Sequence, residues 1–152
     1  MPINAFSLIL CLSLFLEASH KVDSNPSDNG FDDITLETRL NFQHTSGVEG
    51  RYLLPEIMGS GGALFDYDND GDLDIYLVNG GKRAANQSDS ANKLFQRNVD
   101  GSYQDVSKTA GLDDAGFGMG SALGDFDNDG DLDIYVSNVD NDRLYLNNGD
   151  AS

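Results

Sequence analysis

An eleven-residue segment that occurs twice constrains this chain more than any other feature. Residues 66–76 read DYDNDGDLDIY and residues 125–135 read DFDNDGDLDIY, an offset of 59, with Tyr67 against Phe126 as the one difference. The similarity extends outward, since Ala63-Leu64 matches Ala122-Leu123 and Asn79 matches Asn138. Downstream, Lys93-Leu94-Phe95-Gln96-Arg97-Asn98 aligns with Arg143-Leu144-Tyr145-Leu146-Asn147-Asn148 at the smaller offset of 50, so the first unit carries a longer loop from Gly80 to Ala91. Repeats of this length stack one supersecondary unit on the next, because a single unit cannot bury its own apolar face.

Within each unit, short β-branched or aromatic segments alternate with Gly, Asn and Asp clusters, the pattern of strands and tight turns. The first unit predicts strands at Gly62–Phe65, Asp74–Val78, Lys93–Gln96 and Tyr103–Val106. The second predicts three, at Ser121–Phe126, Asp133–Ser137 and Arg143–Leu146. Asn41-Phe42-Gln43-His44-Thr45 is similar to Ser102–Val106 and is expected to be the outer strand of a preceding or ring-closing unit. Four antiparallel strands per repeat is the pattern of a β-propeller blade. The expected fold is therefore all-β and an incomplete propeller, with one full blade at 58–107 and a partial blade at 117–152. Further blades are expected in a longer chain.

The repeated segment is also where the chemistry lies. Asp66, Asp68, Asp70 and Asp74 stand at positions 1, 3, 5 and 9 of one loop, with Gly71 at position 6. Asp125, Asp127, Asp129, Asp133 and Gly130 repeat them. Short carboxylates on alternate residues of a turn point into one concavity, and the glycine permits the positive φ that folds it over. Position 7, Asp72 or Asp131, offers a backbone carbonyl in loops of this kind. Several carboxylates so close repel one another unless a cation joins them, and an all-oxygen, flexible donor set favours Ca²⁺ over Mg²⁺. About two ions are expected. An EF-hand needs Glu at position 12; here that position is Leu77 or Val136, in strand-like runs.

DxDxDGxxD between two strands, repeated at about sixty residues, resembles the FG-GAP or VCBS repeat of integrin-like propellers. More narrowly, GRYLLPEIMGSGGALFDYDNDGDLDIYLVNGG followed by NKLFQRNVDGSYQDVSKTAGL resembles the cartilage acidic protein and ASPIC/UnbV relatives. The resemblance covers residues 41–150, with Pro55-Glu56-Ile57-Met58-Gly59 where that family enters its first calcium blade. It implies a secreted or surface-exposed calcium-binding propeller of seven blades. The remaining blades and the family's C-terminal domain have no counterpart in this sequence.

The ends of the chain and its charge bound the rest. Ile3–Leu16 is an apolar run too short to span a bilayer stably but of signal-peptide length, with small residues Ala18 and Ser19 after it. Residues 1–19 are thus expected to be a cleaved signal, which would remove Cys11, the single cysteine, and 20–40 a polar linker. The product is expected outside the cell, or in a periplasm. A net charge of -17, from 26 acidic against 9 basic residues, argues against nucleic acid and anionic lipid as partners. Of the acids 22 are Asp and 4 are Glu, a bias toward turns and metal loops rather than helix faces. His20 and His44 form no pattern with a nucleophile, Lys82-Arg83 reads as a loop-tip pair, and chelated aspartates make poor general acids. The expected function is a non-enzymatic calcium-binding module that engages an extracellular protein or glycan. The alternative is scaffold within an extracellular carbohydrate-active enzyme.

Overall fold

The computed structural model describes residues 30–47, 50, 54–81 and 90–149. The expected signal segment, residues 20–29 of the linker, and Lys82-Arg83 lie outside them. The compact unit that carries the sheets runs from Ile34 to Ser152. Among the described residues it holds seven strands and two short helices: α1 (Thr35–Thr38), α2 (Leu54–Met58), β1 (Gly62–Phe65), β2 (Asp74–Leu77), β3 (Lys93–Arg97), β4 (Tyr103–Asp105), β5 (Gly118–Gly124), β6 (Asp133–Asn138) and β7 (Arg143–Tyr145). Among the described residues no helix is long and apolar enough to cross a membrane.

The strands form two antiparallel meanders, ordered β1-β2-β3-β4 and β5-β6-β7. Register fixes which side chains share a face. Ala63 pairs with Tyr76 and Tyr76 with Leu94, so these three stand in one row across the first sheet. In the second sheet the row that meets it is Leu123, Ile134 and Tyr145, the repeat counterparts of Leu64, Ile75 and Phe95, so opposite faces of the two units come together. These two rows meet in one core with Phe65, Tyr67, Val78, Val106, Leu112 and Val136. The connection from β4 to β5 is stitched by backbone bonds, with Ala110 N donating to Val106 O and Leu112 N to Ser107 O. A cavity of about 290 Å³ remains between the sheets, lined by Phe65, Tyr67, Leu112, Ile134 and Tyr145 among others.

Glycine lets the two sheets approach closely at the β1–β5 end. Gly118 N donates to Asn79 O, and Ser60 Oγ donates to Gly118 O at 2.8 Å. A Cβ on Gly118 would stand 2.3 Å from Val78 Cγ1 and 2.9 Å from Asn79 O, so only glycine fits without displacing the segment just past β2.

The strand expectations hold in place and differ at their ends. β5 begins at Gly118 rather than Ser121 and ends at Gly124, before Phe126. Its early start rests on a register shift between Gly118 and Gly120, a bulge that period-two reading does not anticipate. Residues 41–45 are not a strand, which corrects that expectation. Thr45 N is instead tied to the Asn79 side chain at 2.7 Å, a local polar anchor in place of a ladder. The expected linker also contains the single helical turn α1, all of it at least partly exposed and closed by Arg39 at φ 58. Of the strand aromatics, Tyr76 and Phe65 are in the core and Tyr145 packs on it, whereas the Tyr135 hydroxyl donates to Asp142.

Candidate metal centre

Each repeated segment is the turn between the first two strands of its sheet: loop 1 joins β1 to β2, and loop 2 joins β5 to β6. The last aspartate of each loop is also the first residue of the following strand, so Asp74 and Asp133 are 1% and 0% exposed. Burial of a carboxylate is costly unless its oxygens are satisfied. Both are. Asp74 Oδ2 accepts from Tyr67 N at 3.0 Å and Oδ1 from Arg97 N at 2.7 Å. Asp133 repeats this with Phe126 N at 2.6 Å and Asn147 N at 2.7 Å. The aspartate at position 9 therefore ties its own loop to the end of β3 in the first sheet and to the residues just past β7 in the second.

The aspartate at position 1 organises the tip. Asp66 accepts from Asp70 N at 3.0 Å and Gly71 N at 2.8 Å, and Asp125 accepts from Asp129 N and Gly130 N, both at 3.1 Å. Those amides converge because two residues per loop take positive φ. Gly71 and Gly130 lie at 89° and 103°, as the motif suggested, but Asn69 and Asn128 do so too, at 60° and 65°. Asn tolerates that region better than other non-glycine residues, and its identity in both copies was the available signal.

These turns bring three carboxylates together in each loop. Asp66, Asp68 and Asp74 each offer an oxygen within 4.8 Å of the others, and Asp125, Asp127 and Asp133 do the same. Asp70, Asp72, Asp129 and Asp131 stand outside these two groups. Asp70 and Asp129 instead accept from the amides of Asp72 and Asp131, at 2.8 and 2.9 Å. At such separations the carboxylates of each loop repel one another when no cation lies between them, and water screens the more exposed members. Burial, opposed by the Tyr67 and Arg97 amides and reinforced by Asp68 and Asp70, raises the Asp74 pKa above the usual carboxylate range. Desolvation and the charges of Asp129, Asp133 and Asp125 likewise raise that of Asp127. Three carboxylates with unused lone pairs and no nitrogen or sulfur donor are a fitting set for a hard divalent cation.

The surroundings of the two groups differ. In loop 1 the Gln96 side chain donates to Asp68 and Arg97 forms an ion pair with Asp72, both reaching over from β3. Leu146 and Asn147 stand at those places in the second unit, so neither clamp exists there. Asn147 turns its amide to the carbonyl of Tyr67 at 2.9 Å, and Asn69 donates to Asp131 at 2.7 Å, so the two loops touch. None of these polar partners was singled out from sequence.

Residues 66–136, from the first aspartate of loop 1 into β6, match the FG-GAP-like repeat family. No curated protein matches the chain.

Proposed function

We propose that this chain is a calcium-binding module of the FG-GAP/VCBS kind, a section of a β-propeller, exported from the cell and used for extracellular interaction rather than catalysis. The observation that carries the reading is the recurrence of one carboxylate triad at one structural position, Asp66/Asp68/Asp74 and Asp125/Asp127/Asp133. It is supported by the family match, which spans both loops. Two meanders that pack face to face and approach through their first strands are the arrangement neighbouring blades adopt around an axis. Within this reading the Asp72 and Asp131 backbone carbonyls complete the coordination, and the ions fix the turns between the first two strands of each blade. The likeness to the cartilage acidic protein and ASPIC/UnbV sequences belongs to the same proposal, as does a protein or glycan partner.

Calorimetric titration of the metal-free protein with CaCl₂ tests it. Two sites are expected, in the range of ~10⁻⁴–10⁻³ M common to extracellular calcium modules. Asp68→Ala with Asp127→Ala should abolish both. Absence of binding at millimolar calcium, or binding unchanged in the double variant, would contradict the reading.

A further inference from the structure

The first-unit residue Arg97 and its second-unit equivalent Asn147 have the same backbone role and different side-chain roles. Each donates its amide N–H to the buried aspartate of its own loop, Arg97 to Asp74 and Asn147 to Asp133, at 2.7 Å in both cases. The Arg97 side chain then stays within its own unit, on Asp72. The Asn147 side chain leaves its unit and donates to Tyr67 O at 2.9 Å. The orientation of that amide is fixed, because its oxygen accepts from Gly149 N at 3.1 Å and only the nitrogen can face a carbonyl. Tyr67 N in turn donates to Asp74 Oδ2 at 3.0 Å. A continuous chain thus runs from Asp133 through Asn147 and the Tyr67 peptide groups to Asp74, and it begins and ends on a buried member of each carboxylate triad.

We propose that Asn147 is a positioning residue shared by both carboxylate groups, and that through it a divalent cation in one loop raises the affinity of the other. The inference rests on the cation reading given above. A cation that draws in Asp133 fixes the residue bonded to it, Asn147, which holds the Tyr67 peptide and so the orientation of Asp74. The second ion then meets a group already ordered. Direct electrostatics has the opposite sign, since a first cation weakens the negative field that attracts the second. Positive coupling therefore distinguishes the bridge from simple charge effects, and linkage requires it to act equally in both directions.

The test follows each loop separately by ¹H–¹⁵N spectra of the whole protein titrated with CaCl₂. The reporters are the Gly71 and Gly130 amides, which donate to Asp66 and Asp125. Disabling loop 2 with Asp127→Ala should raise the calcium midpoint read at Gly71 by roughly fivefold or more, the usual lower bound of allosteric coupling. In an Asn147→Ala background, where both loops still respond to calcium, the same Asp127→Ala change should move the Gly71 midpoint by less than about twofold. A Gly71 midpoint that is unmoved or lowered by Asp127→Ala overturns the coupling, and this arm decides alone if Asn147→Ala does not fold. An equal shift with and without Asn147 overturns its role as the link. Silence of both amides in the unaltered protein removes the cation reading itself, an outcome distinct from independent binding at two responsive loops.

Discussion

Loops 1 and 2 share all but one residue of an eleven-residue sequence, yet the protein around them treats them differently. The one substituted position shows it most plainly: Tyr67 is 8% exposed and Phe126 is 55% exposed. Tyr67 lies under the second sheet, its carbonyl held by Asn147, whereas Phe126 stands on the open flank of that sheet. Loop 1 is also clamped from β3, by Gln96 on Asp68 and Arg97 on Asp72. Loop 2 has the same internal turn bonds and neither clamp. A repeat sequence thus specifies the turn and its carboxylates, while the neighbouring strand and sheet decide how firmly the turn is held without a cation. Strand β3 restrains loop 1 from within its own sheet, whereas loop 2 is tied from outside through Asn69 on Asp131, and under the proposed reading a bound ion would supply the rest.

The largest effect expected from breaking this comparison comes from the buried aspartates. Asp74→Ala leaves two backbone amides without an acceptor in the more enclosed loop and should cost about 3 kcal/mol of stability in EDTA. Asp133→Ala should cost less, about 2 kcal/mol, because the freed Phe126 amide lies nearer water. Urea unfolding of both variants would measure the difference, and a larger loss for Asp133→Ala would reverse the ranking of the loops.

Gln96→Leu installs in the first unit the residue that the second carries at that place. With the Asp68 clamp gone, it should lower stability in EDTA by about 1 kcal/mol, and calcium should restore most of that loss. A loss that calcium does not restore would mean that Gln96 acts in packing rather than on the loop.

Arg97→Ala should have the smallest effect on stability, well under ~1 kcal/mol, because its ion pair with Asp72 is more than one-third exposed and screened. Its backbone donation to Asp74 is retained. Removing the positive charge should nevertheless tighten calcium binding at loop 1 by roughly threefold, which a titration at low salt would read. Weaker binding instead would show that the ion pair assembles the site more than its charge opposes the ion.

The fold was legible in the sequence to the extent that it is local. Strand positions followed from alternation and turn residues, because period-two pattern and loop composition act over a few residues. The aspartates of the motif fell in the turn except the last of each, Asp74 and Asp133, which open the next strand. The start of β5 was missed because a bulge between Gly118 and Gly120 breaks that period. Residues 41–45 resembled a strand through their similarity to Ser102–Val106, yet the Asn79 side chain takes up the Thr45 amide instead. What separates the two loops was not legible from the motif, since it depends on partners distant in the chain. Gln96 reaches Asp68 across 28 residues, and Asn147 reaches Tyr67 across 80. Only the departures of Gln96-Arg97 from Leu146-Asn147 in the aligned segments marked where the copies diverge, and a difference in the repeat does not say what each side chain touches.

Amide hydrogen exchange at Gly71 and Gly130 tests most directly the claim that the protein restrains loop 1 more firmly than loop 2. Both amides donate to the first aspartate of their loop, at 2.8 and 3.1 Å. In EDTA Gly71 is expected to exchange at least about tenfold more slowly than Gly130, and millimolar calcium to slow Gly130 more than Gly71 and narrow the gap. Equal protection of the two amides in EDTA, or greater protection of Gly130, would contradict it.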